Sequence, residues 1–450
     1  MEGGQRRVKE RSAEMGKQFF SDTLILGMAL FSMFFGAGNI IFPPYLGMES
    51  GSQWVAGFFS YYMADIGLSV MAILALLKQR GRMEGVIGAI GRLPSKLMLS
   101  AMVLCIGPLI AVPRTGATTH EMFMTPIFGP MPPLVGSLIF FGVVFLLTIR
   151  ESSVVDILGK FLTPALLLGL MVLILRGVIS PMGEITDQLR QGSVVQNGIS
   201  AGYQTMDSMA AVIFGIIIIA NIRGRGYTEE KQQYRLAACA SLAAAAGLLV
   251  VYGGLTYLGA AATGTLDQPL PRTELILYIT RSLMGEAGTV ILGIVVALAC
   301  ITTAVALISA SARHFSQLSG GRIGYGTLVA AFCLFSAVTS AIGTDRIVEI
   351  ASPILSVLYP GMLALLVLSF FSGRAVNRRV IQGAVIGALL AGLCEQLYLA
   401  GLPLEFITWM PLAGYGFSWL LPAAVTGAAG GLIGRAFPPE EELKERSVAE

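Results

Sequence analysis

L-F-S-M-F-F-G-A-G-N-I-I-F-P-P-Y-L-G, residues 30–47, is an apolar run long enough to enter a membrane but unable to form one continuous helix. Gly36 and Gly38 weaken the helix at its middle, because glycine loses the most backbone freedom on ordering. Pro43 and Pro44 have no N–H, so a continuous helix would leave the carbonyls of Asn39 and Ile40 unpaired. Proline fits the first turn of a helix, where N–H groups lack partners anyway. The reading that satisfies these facts is two half-helices separated by an unwound stretch around Gly36, Ala37, Gly38 and Asn39. The second half then presents bare N–H groups and a positive dipole end, which suit a carboxylate. The bare carbonyls of the first half suit a small cation. Discontinuous helices of this kind build ligand sites at the midplane of membrane transporters.

The rest of the chain supports a membrane setting. Of 450 residues, 55% are apolar, 54 are glycine and only 13% are charged. That charged share is about half of the roughly 25% usual in soluble proteins. Mean hydropathy is +0.75. A soluble domain could not hide this much apolar surface, which argues against a water-soluble enzyme, a nucleic-acid binder or a disordered scaffold. A spanning helix needs about 20 apolar residues. The pattern predicts an all-α polytopic protein of twelve spans, at 23–48, 53–77, 97–124, 134–149, 154–176, 200–222, 234–262, 288–312, 325–342, 347–371, 379–400 and 409–436. The longer loops are expected near 177–199 and 263–287.

The basic residues test this map. With the N-terminus in the cytoplasm and every span crossing, 23 of the 30 Lys and Arg fall on the cytoplasmic side and 5 outside. Arg114 and Lys160 lie within spans. The bias follows the positive-inside rule and places both termini inside. Residues 1–20 and 438–450 read as cytoplasmic tails, and the polar, basic start argues against a cleavable signal peptide. Cys105, Cys239, Cys300, Cys333 and Cys394 lie singly in apolar runs, as small packing residues do, and show no metal or disulfide spacing.

Two further spans carry polar groups. Span 6 reads G-Y-Q-T-M-D-S-M-A-A from Gly202, and its Asp207 is an ionisable group at or near membrane depth, costly and characteristically functional. Interruptions in spans 1 and 6, five spans apart, match an inverted five-helix repeat, with spans 1–5 in 21–180 and spans 6–10 in 193–373. Residues 378–437 hold two further helices. Span 8 contains Thr302 and Thr303 in A-C-I-T-T-A. Both hydroxyls and the Ala299 carbonyl could reach one hard cation, which prefers oxygen ligands. The alternative is that each hydroxyl bonds back to a carbonyl one turn earlier.

These stretches, with V-P-R-T-G-A-T in span 3, resemble the branched-chain amino acid:cation symporter family (LIVCS) of bacteria. The likeness runs through spans 1 to 10, and in length and hydropathy through the whole chain. The resemblance implies the LeuT-type fold of the APC superfamily, a 5+5 inverted repeat with helices 1 and 6 discontinuous, plus two C-terminal helices. It implies import of leucine, isoleucine and valine across the inner membrane with sodium, or in some members protons. Carried over by position, Gly36, Ala37, Gly38 and Asn39 would bind the substrate with Tyr203, Gln204, Thr205 and Asp207. Sodium would be held by the carbonyls of Ser32, Phe35 and Ala299 and the hydroxyls of Thr302 and Thr303. Alternating access would rock spans 1, 2, 6 and 7 against the rest.

Some residues depart from the family's pattern. T-T-H-E-M in span 3 places His120 where an aromatic residue or serine is expected, so His120 reads either as an outer-interface residue or as a proton-coupling group. Arg114 and Glu121 lie seven apart on one helical face, either balancing each other or gating an outer vestibule. Asp156 and Lys160 have ion-pair spacing. An intramembrane enzyme is disfavoured, since His120 and His314 lie far apart and no H-E-x-x-H occurs. A channel is disfavoured because a continuous polar path is missing. The runner-up is a proton-coupled carrier of another neutral amino acid or a nucleobase on the same fold. The expected partners are a small amino acid and the lipid bilayer, with no nucleic acid and no organic cofactor.

Overall fold

The first span is broken, but earlier than its prolines suggested. In the computed structural model, which describes residues 2–79, 87–149, 154–187, 192–371 and 377–436, one helix runs Glu2–Phe34 and the next Ala37–Ser50. Gly36 between them is extended (φ −114°, ψ −174°). Pro43 and Pro44 therefore lie inside the second helix, not in its first turn. The helix restarts at Ala37 because the N–H groups of a first turn need no intrahelical acceptor. The unwound stretch is thus confined to Phe35 and Gly36.

The regular elements among the described residues are all helical. Seven helical stretches are long and apolar enough to cross a membrane, and four shorter apolar helices accompany them. Helices and spans do not correspond one to one: the stretch Ala37–Lys78 joins the second half of span 1 to span 2. Span 12 begins later than expected, with helix Leu420–Ala436 preceded by short 3₁₀ turns at Glu405–Trp409 and Ala413–Tyr415. The expected loop at 263–287 is largely helix, since Arg272–Leu318 is continuous apart from Gly285 at φ 71°. Residues Leu275, Ile276 and Ile279 bury one face of this segment. Arg272, Glu274 and Arg281 between and around them disguised it as a loop. The Asp156–Lys160 pair lies outside the residues whose side chains are described.

Two glycine seams position the centre. The second half of span 1 packs on helix Glu230–Ala262 of span 7, where Gly47 faces the Thr256 carbonyl and Gly259 faces the Pro44 carbonyl. The first half of span 6, Val194–Thr205, packs on span 2, where Gly198 faces the Gly57 carbonyl and Gly202 the Tyr61 carbonyl. Only residues without a Cβ permit such approaches, the usual device for helix association in lipid. The largest fully buried side chains include Tyr61, Tyr252, Tyr359, Phe34 and Phe42, all around this centre. Leu138, Leu146, Leu168, Leu334, Val338 and Leu390 are exposed on the outer helices, as a lipid-facing surface requires.

Candidate functional site

Span 6 breaks at Met206, which adopts a left-handed conformation (φ 65°, ψ 14°) between helices Val194–Thr205 and Asp207–Gly224. A non-glycine residue there costs on the order of 1–3 kcal/mol, strain that concentrates at functional sites. Asp207 opens the second helix, where a negative charge is favoured by the helix dipole.

The breaks in spans 1 and 6 meet at Asn39. Its side-chain nitrogen donates to the Phe34 carbonyl at 2.5 Å, to Asp207 Oδ2 at 2.6 Å and to Tyr252 Oη at 2.5 Å. Two amide hydrogens serve at most two of these oxygens at once. Asn39 thereby ties the end of the first half of span 1 to the start of the second half of span 6 and to span 7.

Behind Asp207 lies a second carboxyl group. Asp65 sits in a π-helical turn, Met63–Gly67, within span 2, a distortion frequently found at functional sites. Thr205 donates to Asp65 Oδ1 at 2.8 Å. Ser69 and Ser208 donate to the Asp65 carbonyl at 2.7 and 3.2 Å. Asp65 is fully buried, and neither its Oδ2 nor the neighbouring Tyr61 hydroxyl has a hydrogen-bond partner.

Arg114 of span 3 supplies a buried positive charge. It is 3% exposed, donates from Nη1 to the Gln204 carbonyl at 2.7 Å, and leaves Nε unpaired. Gly38 makes room for it: a Cβ there would stand 2.8 Å from Nη2. Phe42 lies between Arg114 and Arg272, with guanidinium-to-ring distances of 5.2 and 5.7 Å. Arg272 also covers Tyr45 at 4.1 Å and pairs with Asp345. These cation–π contacts cap the centre on the side of the 263–271 connection. Arg114 and Glu121 turn to different partners, since Glu121 accepts from Thr273 at 2.8 Å and from the Thr344 N–H at 2.9 Å.

Between the breaks lies a cavity of about 60 Å³ lined by Gly36, Ala37, Gly38, Asn39, Arg114, Thr205, Asp207 and Thr303, with apolar walls from Met33, Phe34, Ile106, Phe214 and Leu307. Thr303 thus faces the broken span 1. Thr302 donates to the Ala299 carbonyl at 2.9 Å. Ser32 lies in the last turn of the helix Glu2–Phe34, and Phe35 follows it in the unwound stretch. Tyr203 is stacked on Tyr359 at 4.4 Å, away from this cavity. Gln204 borders a separate cavity of about 240 Å³ with Glu49 and Arg272. His120 is buried against Gly136 of span 4, with Nε2 at 3.5 Å from the Thr125 hydroxyl.

The structure therefore gathers Gly36, Ala37, Gly38, Asn39, Thr205, Asp207 and Thr303 at one place and sets Tyr203 and the Gln204 side chain apart. Sequence reasoning passed over Asp65, Tyr252 and the inward turn of Arg114. Asp65 had the same signal as Asp207, a carboxyl group in an otherwise apolar span. Arg114 carried that signal too, as a charge within a span, although its partners are remote in the chain; Tyr252 had none.

Comparison with known proteins bears on the family and the fold. A family model described as "Branched-chain amino acid transport protein" matches residues 20–437. The branched-chain amino acid permease BraB of Bacillus subtilis is 31% identical over 95% of this chain and 98% of its own. A branched-chain amino acid transport system 2 carrier protein of Pseudomonas aeruginosa is 35% identical over 90% of this chain and 94% of its own. Among solved structures, the inward-facing conformation of Mhp1 superposes with a TM-score of 0.62 at 15% identity, covering 92% of this chain and 91% of that one. The fold is thus of the LeuT type that the resemblance implied.

Proposed function

Because the chain belongs to the branched-chain amino acid transport protein family, we propose that it imports leucine, isoleucine and valine through the bacterial inner membrane by sodium symport. Both termini lie in the cytoplasm on this reading, and two five-span repeats alternate access to the centre. The observation that carries it is the pairing of two broken helices around Asp207 and Arg114 in a cavity with apolar walls. A zwitterion fits this charge pattern. Its carboxylate meets Arg114 and the N–H groups of Gly36, Ala37 and Gly38, and its ammonium meets Asp207. The branched side chain lies against Ile106, Phe214 and Leu307. At about 60 Å³ the cavity has room for roughly two waters at about 30 Å³ each. It must therefore widen to admit an amino acid, and the cap of Phe42 and Arg272 is the part that moves.

Sodium on this reading is held by the carbonyls of Ser32, Phe35 and Ala299 and by Thr302 and Thr303. The Thr302 hydroxyl spends its hydrogen on the Ala299 carbonyl, which leaves both its lone pairs free for a cation. Cation and substrate then favour one another's binding reciprocally, which is the physical content of coupling.

Uptake of labelled leucine into proteoliposomes tests this, with sodium, proton and no gradient compared. Accumulation should require sodium. Thr302→Ala and Thr303→Ala should each raise the sodium concentration for half-maximal uptake by about tenfold, equivalent to ~1.4 kcal/mol. Undiminished uptake without sodium would sink the sodium reading. Unchanged sodium dependence in both variants would move the ion elsewhere.

A further inference from the structure

Asp65 and Asp207 come from spans 2 and 6 and stand side by side in the buried centre of the protein. Three independent contacts hold them there. Thr205 donates to Asp65 Oδ1 at 2.8 Å, Ser208 donates to the Asp65 carbonyl at 3.2 Å, and Asn39 donates to Asp207 Oδ2 at 2.6 Å. The charged and titratable groups facing them are few. Tyr61 and Tyr62 come from Asp65's own span, Tyr252 from span 7 and Tyr359 from span 10. Arg114 of span 3 faces Asp207. A phenol is neutral near neutral pH, so two carboxylates would meet one guanidinium. One uncompensated negative charge in such a place is prohibitively costly.

The geometry says where the missing positive charge goes. Asp65 Oδ2 and the Tyr61 hydroxyl are both buried without a hydrogen-bond partner. A metal cation there would need a shell of several oxygens, yet Ser69 and Ser208 meet the backbone carbonyl of Asp65 rather than its carboxyl group, and no three His, Cys, Asp or Glu side chains gather to hold a metal among the described residues. A substrate ammonium group stops at the cavity wall. Asp207 and Thr205 form part of that wall and Asp65 does not. A proton needs neither a shell nor a passage wide enough for an amino acid.

We propose that Asp65 and Asp207 together hold one dissociable proton, carried on Asp65 when substrate ammonium occupies Asp207, and that the centre closes only with this proton bound. The carboxylic acid O–H of Asp65 then supplies the donor that the pair lacks, and no bond other than O–H is made or broken. Opening admits water to the pair and releases the proton. The coupling to leucine movement rests on the transport reading above; the proton itself does not. Since closure takes up a proton, uptake should fall as pH rises.

The test has two independent readouts. Infrared difference spectra of the purified full-length protein at neutral pH should show the carbonyl stretch of a protonated carboxylic acid, and Asp65→Asn should abolish it. A spectrum without that band, or a band that Asp65→Asn leaves in place, overturns the proposal. Should Asp65→Asn fail to fold, Thr205→Val serves instead. It removes the donor on Asp65 Oδ1 and must shift the band, and an unshifted band is equally fatal. In proteoliposomes with a pH-sensitive dye inside, leucine entry should acidify the lumen. Asp65→Asn, a mimic of the protonated state, should still exchange leucine for leucine but lose the fall of uptake with pH. Retention of the parent's pH dependence by that variant overturns the proposal. If leucine does not enter at all while the infrared band behaves as expected, the transport reading fails and the proton site stands.

Discussion

Replacing Asp207 with alanine is expected to abolish leucine uptake, and Asp207→Asn to lower leucine affinity by about ten- to a hundredfold. The difference between the two variants separates charge from shape. Asparagine keeps an oxygen for the Asn39 amide, which stands 2.6 Å from Asp207 Oδ2, but it loses the charge that would receive an ammonium group. A hydrogen bond to a charged group is worth about 1.5–3 kcal/mol, which sets the expected range. Alanine also removes the acceptor itself. The Asn39 amide then loses its link to span 6, and Arg114, 3% exposed, loses the carboxylate that balances it. Breaking one side of a buried charge arrangement costs about 3–5 kcal/mol. Uptake in proteoliposomes, with size-exclusion profiles to establish that both variants fold, provides the measurement. Normal leucine uptake by Asp207→Asn with the parent's pH profile would make Asp207 a structural residue.

The second large effect falls on stability. Gly259→Ala should lower the folding equilibrium constant of the purified protein by about a hundredfold, and Gly47→Ala should do nearly the same. A Cβ on Gly259 would lie 1.8 Å from the Pro44 carbonyl oxygen, and one on Gly47 would lie 1.9 Å from the Thr256 carbonyl oxygen. Ordinary contact is about 3.5–4.0 Å between carbons. The obstacle in both cases is backbone, which cannot rotate away as a side chain can. Overpacking typically costs about 1–3 kcal/mol and occasionally more, and a rigid seam belongs at the upper end. The damage reaches the site, since Tyr252 lies two turns before Gly259 on the same helix and meets Asn39. Gly36→Ala is the control. Its Cβ would meet nothing within 4 Å, and its φ of −114° is open to any residue. Thermal unfolding in detergent should show a large drop for Gly259→Ala and little change for Gly36→Ala. Equal melting temperatures for parent and Gly259→Ala would mean that spans 1 and 7 do not pack as described.

Much of the site was legible in the chain because membranes penalise polar groups. Asp207, Asn39 and the threonines of span 8 stood out as exceptions in apolar surroundings. Gly36 and Gly38 announced the break in span 1, although its position was displaced. The prolines were read as marking a helix start, whereas they lie inside helix Ala37–Ser50. Asp65 could have been found by the same rule as Asp207. Arg272–Met284 was misread because its charged residues follow a loop's composition while Leu275, Ile276 and Ile279 follow a buried face.

By itself, then, the sequence determined the class: helical, membrane-embedded and broken in span 1, with a carboxyl group in span 6. Apolar excess and proline chemistry act locally, within a turn or a span, and can be read one segment at a time. Only the tertiary structure decided which groups meet. Asn39 and Asp207 are 168 residues apart in the chain, Thr205 and Asp65 140, and Asn39 and Tyr252 213. Such pairings depend on where helices cross, and glycine seams such as Gly47 and Gly259 set those crossings by admitting backbone against backbone. No local pattern in the chain encodes the partner on the far side of such a seam.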